Sequence, residues 1–214
     1  MNTSNENQGA DPELAILLGR NPPLDMLFPV LRHKDHEGSE TDVIFPFCGD
    51  LTLRVVVNTP TAMRMLRNDE LAKLGVSSDE CWERALANLM ELWQKDGYFL
   101  EMGKEGVGQL ELPEIELSSG LLCARPTVEW LLQICGGRVF ASIPRRHVVL
   151  IARGDVEAAN ALRWATDALF EDGEGRPISN QIFACTGIPN RGLLRASRKK
   201  YQAPAYPWER VQFD

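Results

Sequence analysis

The chain has 214 residues, 44% of them hydrophobic, and a formal net charge of −7. That content supports one sizeable core and excludes wholesale disorder. The acidic balance argues against a surface built as a whole for nucleic acid or anionic lipid, and no apolar run approaches the ~20 residues of a membrane helix.

The opening residues, Met1 to Gln8, lack the basic-then-apolar order of a signal peptide, so a cytoplasmic protein is expected. Residues 1–12 are polar and read as a disordered terminus, 13–185 as the folded domain, and 186–214 as an irregular basic segment docked on it. Glu13 to Leu18 is a short helical signal stopped by Gly19 and Asn21-Pro22-Pro23. Leu27 to Arg32 is extended, and Arg32 to Asp42 is a hydrophilic loop. Val43 to Phe47 and Leu51 to Val57 are strands around the Gly49-Asp50 turn, with Ala62 to Arg67 returning after Asn58-Thr59-Pro60.

Asn68 reads as the cap of a helix to Leu74, ended by Gly75. Ser77-Ser78-Asp79-Glu80 is a capping-box start for a helix to about Gln94. Its apolar positions Trp82, Ala85, Leu86, Leu89 and Trp93 share one face. Tyr98 to Leu100 and Gln109 to Leu112 are candidate strands around a glycine-containing loop, and Leu121 to Ala124 is a third. Pro126 suits the first turn of a helix to about Cys135.

Two β-branched runs then flank Pro144-Arg145-Arg146-His147, a hairpin spanning Arg138 to Arg153. Gly154-Asp155 opens a helix with Ala158, Ala161, Leu162, Ala165 and Leu169 on one face, and Ile178 to Cys185 is the last strand. These elements predict one α+β domain, with a mixed or antiparallel sheet covered by three or four helices.

Four of these stretches together resemble the YtpQ-like family of bacterial proteins of unknown function. They are Phe28 to Arg32, Leu51 through Asn68 to Val76 into the Ser78 helix, Ser118 to Leu122, and Gly137 to Ile151. Order and spacing match over roughly residues 27–185. The resemblance implies an α+β fold and a bacterial cytoplasmic setting, and it transfers no catalytic residues. Relatives usually carry a further segment before the position of Phe28.

Several constellations bear on chemistry. Cys48, Cys81, Cys123, Cys135 and Cys185 are widely spaced, without a C-x-x-C pair, and read as free buried thiols. His33-x-x-His36, beside Asp35 and Glu37, lacks the matching pair a structural zinc site needs and reads as a solvated loop. No metal and no cofactor are expected. A small hydrolase or transferase would centre on His147 with nearby acids and a thiol such as Cys123 or Cys135. Nucleic acid would use the tail cations Arg191, Arg195, Arg198, Lys199 and Lys200, interleaved with Tyr201 and Tyr206.

The turn Arg145, Arg146 and His147 is the preferred binding surface, because arginine forks match carboxylates and phosphates. The expectation is a non-catalytic, intracellular protein-binding or regulatory role, of immunity type for example, with an acidic protein as partner. Neither nucleic acid nor membrane is the expected partner.

Overall fold

The computed structural model describes residues 22–36, 40–172, 177–187 and 207–212. Leu24–Met26 forms a 3-10 turn leading into β1, Leu27–His33. β2, Ile44–Cys48, and β3, Leu51–Asn58, pair antiparallel across the Gly49-Asp50 turn, and β4, Met63–Met65, folds back on the end of β3. The first sheet therefore runs β1-β3-β2, with β4 on the far half of β3. Pro29 sits in β1, an edge strand, where a missing N–H costs the sheet no ladder bond.

Two helices follow, α1 (Asn68–Leu74) and α2 (Ser78–Asp96). α1 ends at Gly75 with φ 68°, the left-handed geometry a helix stop uses. Its cap differs from expectation. Arg67 occupies the N-cap position, and the side chain of Asn68 instead donates to Asp42 O at 2.7 Å. α2 starts on the expected capping box: Glu80 N–H donates to Ser77 Oγ at 3.2 Å, and Ser77 N–H to Glu80 Oε2 at 2.8 Å. Trp82, Ala85 and Leu89 are buried on its inner face. Asn88 on the same face donates to Leu24 O and Leu27 O, tying α2 to the start of β1.

The second sheet has six strands, all paired antiparallel: β5 (Phe99–Met102), β6 (Val107–Glu111), β7 (Val139–Arg145), β8 (Val148–Arg153), β9 (Ile182–Cys185) and β10 (Glu209–Arg210). Their order is β10-β9-β7-β8-β6-β5, so the expected hairpin, β7-β8, lies at the centre. α3 (Arg125–Ile134) has Pro126 in its first turn, and α4 (Val156–Glu171) is capped by Asp155, whose Oδ1 accepts from Ala158 N–H at 2.8 Å.

The strand expected at Leu121 to Ala124 is instead the end of a 3-10 segment, Ile115–Cys123. Serine hydroxyls compete with regular pairing here. Ser118 Oγ accepts from Leu112 N–H and Ser119 Oγ from Leu31 N–H, each at 3.0 Å. The segment thus covers the open edge of β1, the kind of protection that exposed sheet edges need. Gly120 permits the approach, since a Cβ there would stand 2.3 Å from Pro29 O.

The α+β single-domain expectation holds, with two antiparallel sheets in place of one. One continuous core joins them, combining Leu31, Val55, Leu89 and Leu121 with Ala141, Ile143, Val149, Ile151 and Phe183. The opposite face of the second sheet offers Phe140, Leu150 and Ile182 to Ala158 and Leu162 of α4. The period of two along β7 and β8 sends alternate side chains to these two cores. Trp208 also enters the larger core, donating Nε1–H to Leu122 O at 2.9 Å, and β10 then pairs with β9. This much of the C-terminal segment is docked. The expected N-terminal helix and the cations at 191–200 lie outside the described residues. Among those described, no helix is long and apolar enough to cross a membrane.

A cationic cleft at the sheet junction

The hairpin turn splits the three residues expected to act together. Arg145 is only 7% exposed. It reaches back under α4, donating Nε–H to Leu169 O at 2.5 Å and Nη2–H to Asp172 Oδ2 at 2.9 Å. Its guanidinium satisfies the end of a helix, where carbonyls lack partners and the dipole favours a cation. Arg145 is therefore a structural tie, not an exposed binding residue. The sequence pattern suggests a surface position because Pro144 reads as a strand stop, but β7 runs through Pro144 and Arg145, and only Arg146 and His147 form the turn.

Arg146 points the other way, toward the first sheet. Its Nε pairs with Glu116 of the 3-10 segment, and Nη2 approaches Met63 Sδ of β4 at 3.7 Å. His147 is half-buried, and no carboxylate pairs with it among the described residues.

Between β1, β4 and the turn lies a cleft of about 230 Å³. Arg32, Arg64, Arg146, His33 and His36 line it, and no lining residue among those described is acidic. The balancing carboxylates lie outside this lining, Glu116 in the adjoining groove. Glu70 takes both terminal nitrogens of Arg64, at 2.6 and 2.8 Å, and Glu116 holds Arg146. Burial alone would raise the Glu70 carboxyl, but hydrogen bonds from Arg64 and the Arg67 N–H, with the Arg64 charge, outweigh it and leave it below its ordinary value. At Met63 and Arg146 the cleft meets a wider groove of about 860 Å³ along the Asn58–Ala62 turn and Glu114–Glu116.

Arg32 is the unusual member. It is 3% exposed. Nη1 donates to its neighbour Leu31 O at 2.8 Å, while Nη2 is buried with no hydrogen-bond partner among the described residues. Burial first, and then the Arg146 charge, pull its pKa down to about 10; Glu116 opposes them. It stays a cation at neutral pH. Neighbouring Arg54 shows the contrast. It is fully buried yet satisfied, by Asp42 Oδ2 at 2.6 Å and by His33 O and Lys34 O.

No protein-family model, no curated protein and no solved structure matches this chain.

The other candidates gather less. His33 Nδ1 accepts from Asp35 N–H at 3.2 Å, and Nε2 faces Asp50 Oδ2 at 3.6 Å. Among the described residues, no three His, Cys, Asp or Glu side chains form a group suited to a metal ion, and Glu37 lies outside them. All five cysteines are free. Burial pushes each thiol up, Cys81 to about 12 and Cys123 well above its ordinary value. A thiolate nucleophile requires the opposite shift, so neither Cys123 nor Cys135 supports the hydrolase reading.

Sequence reasoning found Arg146 and missed Arg32, Arg54 and Arg64. A signal was present. Alternation along Leu27 to His33 places Arg32 on the face of Phe28 and Val30, and a charge on an apolar strand face needs a reason.

Proposed function

We propose that this protein is a non-catalytic binding or regulatory protein that captures an acidic segment of a protein partner at the Arg32–Arg146 cleft. The observation that carries this reading is the cleft wall: three arginines and two histidines, with no acid among the described lining residues, on a chain of net charge −7. Arginines fixed by Glu70, Glu116 and the strands lose little freedom on binding, which favours affinity. Rim charges of this kind also steer association and select partners by sign. The YtpQ-like resemblance and a bacterial cytoplasmic setting belong to the same reading, and an immunity-type role for this protein fits it.

The test is fluorescence anisotropy with a labelled Asp/Glu-rich peptide and its Lys-rich counterpart. The acidic peptide should bind the wild type in a salt-sensitive way, and Arg146→Glu should cost about tenfold or more, equal to about 1.4 kcal/mol. Equal binding of both peptides, or an acidic peptide indifferent to Arg146→Glu in folded protein, overturns the reading.

A further inference from the structure

We infer that the cleft formed by Arg32, Arg64 and Arg146 is a binding site for a single phosphate group. This rests on the proposed binding role and names the ligand chemistry of the same cleft. Three observations carry it. The first is convergence. Arg32 comes from β1, Arg64 from β4 and Arg146 from the β7-β8 turn, so three cationic side chains line the one cleft from separate elements. Donors arriving from several directions suit a tetrahedral oxyanion with acceptors on every side, whereas a planar carboxylate is served by one fork.

The second is the state of Arg32. A nearly fully buried guanidinium with one terminal nitrogen unsatisfied is costly. The fold places carboxylates on its neighbours, Asp42 on Arg54, Glu70 on Arg64 and Glu116 on Arg146, whereas Arg32 makes no ion pair among the described residues. An incoming oxyanion supplies the missing acceptor and the missing charge. The third is size and selectivity. The cleft, about 230 Å³, is small, and its lining is cationic or apolar among the described residues, with Met63, Met65 and Ile178 completing it. Phosphate carries ~1.5–2 negative charges at neutral pH when held as a monoester, more than a carboxylate offers the same cations.

The experiment is isothermal titration of the full chain with inorganic phosphate, O-phosphoserine and acetate, on wild type, Arg146→Met and Arg32→Met. Phosphate should bind one-to-one and at least about tenfold more tightly than acetate, a gap of about 1.4 kcal/mol. Either arginine substitution should abolish that preference. O-phosphoserine binding more tightly than inorganic phosphate would assign the group to a phosphorylated side chain, and the reverse order to free phosphate; both support the site. Arg32→Met carries a second readout. Removing a strained buried cation should keep or raise the melting temperature while binding is lost, an outcome a purely structural arginine does not give. The inference is overturned if phosphate binds no better than acetate, or if its affinity survives Arg146→Met. Acidic-peptide binding that depends on Arg146 but is not displaced by phosphate would leave the proposed function standing and sink this inference. Phosphate binding without any acidic-peptide binding would do the opposite.

Discussion

Arg145 and Arg146 are adjacent, yet their alanine variants should behave differently. Arg145 reaches Leu169 O and Asp172 Oδ2 from a position 7% exposed. A hydrogen bond from a charged donor contributes about 1.5–3 kcal/mol. The cation at the end of α4 adds about 0.3–1 kcal/mol. Asp172 is 56% exposed, so its share of the ion pair is held to about 0–1 kcal/mol. These terms overlap and do not sum, and about 2–3 kcal/mol is expected for Arg145→Ala. In a domain of this size each kcal/mol moves the midpoint by about 2–4 °C, so a drop of about 5–10 °C should be seen. Arg146→Ala, with a partly exposed pair to Glu116, should cost about 1 kcal/mol or less. Thermal and urea unfolding followed by circular dichroism measure both. Equal loss in the two variants, or an Arg145→Ala protein within about 0.5 kcal/mol of wild type, would refute the division of labour drawn for this turn.

Further outcomes follow from the packing and the titrating groups. Gly120→Ala would press a Cβ within 2.3 Å of the Pro29 carbonyl oxygen, and since backbone must yield, a loss of about 1–3 kcal/mol or more in urea unfolding is expected. A stable variant would mean that the 3-10 segment does not seal β1. Val149→Asp sets an unpaired carboxylate into the core shared by both sheets and should cost several kcal/mol or prevent folding; an unchanged melting temperature would place β8 elsewhere. Glu70 has a folded pKa below its ordinary value, so its contribution is complete above the unfolded carboxylate range, near about 4.3, and is lost as pH falls through the lowered folded value. Glu70→Gln should therefore flatten that part of the acid limb in pH-dependent unfolding, and an unchanged slope would contradict the Arg64 pairing. All five thiols should titrate in denatured, unreduced protein, whereas a shortfall restored by reductant would reveal a disulfide.

The strands and helices with a strong internal period were legible from the chain. Leu51 to Val57, the Ser77 capping box and the β7-β8 hairpin each satisfy propensity, pattern and end signals together, and each is found where expected. The failures lie where a backbone group outside the element claims a side chain within it. Leu121 to Cys123 has a strand-like apolar run, but Ser118 and Ser119 spend their hydroxyls on Leu112 and Leu31, and the segment becomes a 3-10 covering for another strand's edge. Asn68 fits a helix cap in isolation, but the loop carbonyl of Asp42 claims its amide. Leu31 and Asp42 lie 88 and 26 residues from the side chains they meet, so local propensity had no access to those two contacts.

The cleft was hidden for a related reason. Cations clustered in sequence attract attention, yet Arg145-Arg146 is a pair that the fold divides, one arginine for α4 and one for the cleft. The cations clustered in space come from β1, β4 and the turn, separated by tens of residues, and Arg32 and Arg64 carry no local signal of a shared site. What distinguishes them is an accounting of partners. Arg54, Arg64, Arg145 and Arg146 each meet a carboxylate, while Arg32, as deeply buried as any but Arg54, meets none among the described residues. Buried charge without a partner is expensive, and an ordinary core would replace it with an apolar residue of similar volume. Its position on the wall shared with Arg64 and Arg146 points to the acceptor it lacks: a group that arrives from outside.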